Sequence, residues 1–176
     1  MADCAEGLPA PDLEGLRRDL ALLAAETGFA YDRVFDRMAG GASIAEALDL
    51  PEGTAAAIYA LAYARFNAGD IDRALPLFRA LVLLGPRGRD HWLGLALCLR
   101  GKGLMAEAGT AFATAAALAP DDPMILFHRT ELACHTGDWA AAKAGVARFA
   151  GMPQTPVWRR LLPEMRKLAT AVELRG

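Results

Sequence analysis

Residues 55–88 read AAAIYALAYARFNAGDIDRALPLFRALVLLGPRG, and residues 89–122 read RDHWLGLALCLRGKGLMAEAGTAFATAAALAPDD. Laid one above the other, the two stretches keep the same residue types at the same places. Gly69 and Gly103 stand 34 residues apart, and Gly137 follows at the same step. Beyond each glycine comes Ala74, Ala108 or Ala142, and before each comes Ala62, Ala96 or Thr130, all in register. Leu61 and Leu95, then Phe78 and Phe112, supply large apolar groups, and Pro86 and Pro120 close the two stretches. Small side chains are needed where two helices cross, since axes reach the short end of about 8–10 Å only without bulk between them. The glycine ends the first helix, where a left-handed residue reverses the chain without a Cβ clash. Proline cannot continue the hydrogen-bond ladder and stops the second helix.

A helix-turn-helix unit repeating every 34 residues is that of the tetratricopeptide repeat (TPR). The expected fold is all-α: a TPR superhelix of three repeats with N-terminal leader helices and a C-terminal capping helix. The units are 55–88, 89–122 and 123–154, between a leader region at 1–54 and a cap at 155–176. The third unit departs from the others, with Arg129 at the leucine position, Val146 at the aromatic one and Pro153 one residue early. Gly137, Asp138, Trp139 and Ala142 keep its turn.

In the leader region Leu13, Leu16, Leu20 and Leu23 follow helical spacing between Pro11 and Gly28. Phe29, Tyr31, Val34, Phe35 and Met38 form a second apolar cluster before Gly40 and Gly41. Ser43 with Glu46 makes a capping box, so a short helix is expected to end before Pro51. The leucine stripe reads either as a cover for the first repeat or as a homodimer surface. At the other end Val157, Leu161, Leu162, Met165, Leu168 and Val172 make a capping stripe, which Pro163 either kinks or divides.

Composition narrows the function. The chain is 54% hydrophobic, 7% aromatic and 23% charged, with a formal net charge of -2. Its Lys and Arg residues are scattered rather than gathered into a stripe that could neutralise a phosphate backbone, so no nucleic-acid partner is expected. No apolar run reaches the roughly 18 residues of a membrane span. Met1 to Glu6 carries acids and no basic residue, unlike a secretory signal, and the expected location is cytoplasmic. Cys4, Cys98 and Cys134 lie far apart, outside any C-x-x-C spacing, and Cys98 and Cys134 read as buried thiols.

Phosphate-cradling loops and the nucleophile elbow are absent. His128, Glu131 and His135 are the best candidates for metal or catalysis, against the plainer reading of a polar groove lining. Neither an enzyme nor a cofactor is expected. In a TPR array the first helices line the concave side. Their outward residues are Tyr59, Tyr63, Phe66 and Asn67, then Leu93, Leu97 and Arg100, then Phe127, Glu131 and Cys134. An apolar groove with polar punctuation suits an extended peptide with apolar anchors.

The run GGASIAEALDLPEGTAAAIYALAYARFNAGDIDRALPLFRALVLLG, followed by HWLGLALCLRGKG and ILFHRTELACHTGD, resembles the class II chaperones of bacterial type III secretion, the TPR chaperones of translocator proteins. The short helix before the array, the tyrosine-rich first helix, the L-G-L after an aromatic and the F-H of the third unit carry the likeness. The resemblance implies a cytoplasmic chaperone that binds one or two hydrophobic translocators and keeps them apart and soluble before export. It implies capture of a short proline- and leucine-bearing client segment, with apolar sockets at Tyr59, Tyr63, Phe66 and Leu93. It also implies dimerisation through the amino-terminal helices. A scaffold for folded assembly partners is the alternative. Arg129 and Thr130 stand where the resembling chaperones tend to have small residues.

Overall fold

The computed structural model describes residues 13–175, and all regular structure among them is helical. Cys4 and the side chain of Leu13 lie outside the described residues. The chain divides into two units, the first ending at Glu52 and the second starting at Gly53.

The first unit holds α1 (Leu13–Thr27), α2 (Tyr31–Ala39) and α3 (Ile44–Ala47). Gly28, at φ +74°, follows α1. Arg17 on α1 grips Asp36 on α2 with two hydrogen bonds of 2.6 and 2.7 Å. The capping box of α3 forms in full, with Ser43 N donating to Glu46 Oε2 at 2.7 Å and Glu46 N donating to Ser43 Oγ at 3.2 Å. Hydrophobic patterning here is strong, yet Ala47 is the one buried apolar residue among those described in this unit. Leu16, Leu22, Leu23, Phe29 and Met38 are exposed, and Leu20 is half-buried.

The second unit is a run of antiparallel helix pairs: α4 (Thr54–Asn67) with α5 (Ile71–Leu84), α6 (Arg89–Gly101) with α7 (Met105–Leu118), α8 (Pro123–Thr136) with α9 (Trp139–Ala150). The closing helix α10 (Pro156–Glu173) packs on α8 and α9. It is a single helix with Pro163 inside it. Gly69, Gly103 and Gly137 follow α4, α6 and α8 at φ +77°, +77° and +76°, a conformation that any Cβ would strain. Ala62, Ala96 and Thr130 are buried, as are Ala74, Ala108 and Ala142. Phe78 and Phe112 fill the space between pairs, each contributing roughly 1.5–3 kcal/mol by burial. Pro86 and Pro120 each stand two residues past the end of the second helix.

Three features differ from the repeat reading. Leu95 is 7% exposed, but Leu61, its equivalent one repeat earlier, is 47% exposed. α4 opens its unit, so no preceding helix within that unit covers Leu61. The aromatic missing at Val146 is replaced by Phe149, which is buried and stacks on Trp158 of α10 at 5.3 Å. Trp158 Nε1 donates to the Phe149 carbonyl at 2.8 Å, fixing the cap to the last pair. Finally, Cys98 is buried and its thiol pKa is pushed up to about 11 by desolvation, whereas Cys134 is only half-buried.

Candidate functional site: the face of α4, α6 and α8

The repeat places groove residues in columns spaced by 34: Tyr59, Leu93 and Phe127; Tyr63, Leu97 and Glu131; Phe66, Arg100 and Cys134. Along α4, Tyr59 and Tyr63 are one turn apart and lie nearly parallel, with centroids 6.2 Å apart. Tyr63 is 53% exposed. Tyr59 is half-buried, with its ring edge-on to Phe78 at 6.2 Å and tilted over His91 at 5.9 Å. Burial, with the nearby charge of Asp90, raises its phenol pKa. Phe66, Leu93 and Leu97 are half-buried against the same core, and Asn67 is exposed at the end of α4. Tyr59, Phe66, Leu93 and Leu97 thus both pack and offer a remaining surface, in proportions that the repeat alone does not fix.

Phe127 is a correction. It is 9% exposed and sits in a cluster with Phe149, Trp158, Leu161 and Met165, so α10 turns the end of its column into core. Glu131 and Arg100 form an ion pair joining α8 to α6, and His128 Nδ1 lies 3.1 Å from the same carboxylate. These partners, His128 first and then Arg100, overcome the cost of partial burial and bring the Glu131 pKa down to about 2. His128 also stacks on Phe112 at 6.1 Å and meets Phe127 at 5.1 Å. The carboxylate considered as a metal ligand is therefore engaged, while His135 is exposed. No three His, Cys, Asp or Glu side chains gather as metal ligands among the described residues.

Two cavities open where the helices begin. The larger, of about 630 Å³, is lined by Leu93 of α6, Pro120, Met124 of α8 and Val157 of α10, with Arg89, Asp90, Asp121 and Asp122 around it. The smaller, of about 350 Å³, lies between Ala55, Ala56 and Tyr59 of α4 and Asp90 and His91 of α6. Asp90 and Met124 are absent from the groove residues expected from the sequence, and Val157 is expected only in the capping stripe. Yet Ala56, Asp90 and Met124 keep the 34-residue step, three residues ahead of the Tyr59 column, and could have been found by it.

A tetratricopeptide-repeat family model matches residues 59–123. Low calcium response locus protein H of Yersinia pseudotuberculosis is 24% identical over 137 residues, covering 77% of this chain and 82% of the relative. PcrH of Pseudomonas aeruginosa, solved in complex with the chaperone binding region of PopD, is similar in structure with a TM-score of 0.65 and 28% identity, over 72% of this chain and 96% of that one. Residues 59–123 carry the tetratricopeptide-repeat match, and the chain is similar to translocator chaperones of type III secretion in sequence and in fold. A further translocator chaperone, SycD of Yersinia enterocolitica in complex with a peptide of the translocator YopD, shares the fold at a TM-score of 0.67 and 23% identity, covering 72% of this chain and 97% of that one. SycD has also been crystallised as a dimer. The family match runs from Tyr59 to Pro123, the stretch that holds most of the candidate columns.

Proposed function

We propose that the chain is a cytoplasmic, non-enzymatic chaperone that binds hydrophobic type III translocator proteins along the face of α4, α6 and α8 before their export. The observation that carries this is the similarity to PcrH, solved in complex with the chaperone binding region of PopD, together with the aromatic strip of α4, in which Tyr63 is exposed and Tyr59 and Phe66 are half-buried. Tyr59, Tyr63, Phe66, Leu93 and Leu97 form apolar sockets; Arg100, Glu131 and Asn67 punctuate them with polar groups. An extended segment suits such a surface, since its alternate side chains point to one side and can enter successive sockets. The exposed leucines of α1, Leu16 and Leu23, with Leu20, form the homodimer surface. Among the described residues no helix is long and apolar enough to cross a membrane.

Affinity capture of the tagged chain from its source cells, with mass spectrometry of bound polypeptides, tests the reading. Recovery of one or two secreted proteins with long hydrophobic segments is expected. Recovery of folded assembly proteins alone, under secretion-inducing conditions, would replace the chaperone reading with that of a scaffold.

A further inference from the structure

The two cavities share one wall. Asp90, in the first turn of α6, lines both. On one side of it stand Ala55, Ala56 and Tyr59; on the other stand Leu93, Met124 and Val157. Its side chain is 49% exposed, open to whatever passes from one cavity to the next.

The surrounding charges leave this carboxylate poorly matched. Arg89 Nη2 is 3.5 Å from Asp90, and it is the one cation within ion-pair distance among the described residues. That guanidinium makes its closer contact with Asp122. Asp122 is itself occupied as the cap of α8, accepting from Met124 N at 2.8 Å and Ile125 N at 3.4 Å. Asp121 lies on the rim, 3.8 Å from Arg148. The lining of the larger cavity thus holds three carboxylates and one guanidinium, and Arg148, the second cation, approaches from outside the lining and pairs with Asp121, not Asp90. The start of α6 adds a partial positive charge of about one half, which is too small to balance Asp90 once Arg89 is shared.

We propose that Asp90 reads a basic residue of the client: the segment entering this part of the groove carries two large apolar side chains, one for each cavity, with a lysine or arginine between them. In an extended chain every second side chain faces the same way. The fitting pattern is therefore apolar, any residue, basic, any residue, apolar. This inference rests on the groove reading above and adds the chemistry of the partner to it.

The test uses the full chain and fluorescence anisotropy with labelled synthetic peptides. In these, leucines stand two residues either side of a central lysine, alanine or glutamate. The lysine peptide is expected to bind roughly three- to fivefold more tightly than the alanine peptide, and the glutamate peptide to bind weakest. In Asp90→Asn the three peptides converge, in Asp90→Glu the ranking returns, and added salt narrows the native difference. Met124→Ala weakens all three alike. The same ranking in Asp90→Asn, or no ranking in the native chain, overturns the proposal. If all three bind alike and Tyr63→Ala weakens them, the groove stands and only the role of Asp90 falls. If none binds, both fall.

Discussion

Thr130 and Gly145 fill one space: a Cβ built on Gly145 would stand 2.2 Å from Thr130 Oγ1. The hydroxyl is buried but satisfied, donating to the Leu126 carbonyl at 2.9 Å. One repeat earlier the same two places hold Ala96 and Ala111, so volume moved from one helix of the pair to the other. Gly145→Ala is expected to cost roughly 1–3 kcal/mol by overpacking, less a helix-propensity gain of up to about 1 kcal/mol. Adding Thr130→Ala restores the second-unit pattern and recovers most of the loss. Urea unfolding of the two single variants and the double variant measures the coupling, and additive losses would contradict it.

Asp70 and Asp138, which precede α5 and α9, each cap their helix by accepting a backbone N–H, from Arg73 and Ala141 respectively. Leu104 occupies the corresponding place before α7, with the same backbone angles as Asp70 and no side-chain cap. It is also exposed. Leu104→Asp should therefore stabilise the chain by about 0.5–2 kcal/mol, seen as a raised midpoint in thermal or urea unfolding.

Tyr59 and Tyr63 look alike in sequence and should behave differently. Tyr59 packs on Phe78 and His91, so Tyr59→Ala is expected to lose about 2 kcal/mol or more of stability. Tyr63 has its ring largely in solvent, and Tyr63→Ala should stay within about 0.5 kcal/mol of the native chain. Circular dichroism during urea titration separates them.

The carboxyl of Glu131 is held down to about 2 in the folded chain, from an ordinary value of 4.5, by His128 and Arg100. A lowered folded-state pKa adds stability that is fully present above the unfolded value and is lost as pH falls toward the folded one. The native chain should lose this contribution between about pH 5 and pH 2, in a modest amount because the side chain is partly exposed and solvent-screened. Glu131→Gln should show a shallower fall over that window when urea midpoints are compared.

The period made the fold legible because its demands are local and steric: glycine at positive φ, small residues at crossings, proline after the second helix. The capping box of α3 was legible for the same reason. What escaped depends on neighbours that no repeat encodes. Leu61 is at a packing position with no helix of its unit before it, and Phe127 is at a groove position covered by α10. Phe149 and Trp158 took over an aromatic role one turn away from Val146, where no periodic signal points. Leu22, at 67% exposure, is off the predicted leucine stripe of α1. Asp90 keeps the 34-residue step with Ala56 and Met124, but that step does not show that it lies between two cavities.

The central claim is that an extended apolar client binds the face of α4, α6 and α8. The most direct measurement is the affinity, by isothermal titration, of a peptide from whichever hydrophobic protein the affinity capture recovers. It should be made against Tyr63→Ala and against Leu83→Ala, which removes a comparably exposed side chain from α5. The account predicts a loss of roughly tenfold or more for Tyr63→Ala and native affinity for Leu83→Ala, the size expected of a central aromatic anchor. Native affinity in Tyr63→Ala, or an equal loss in both variants, would contradict it.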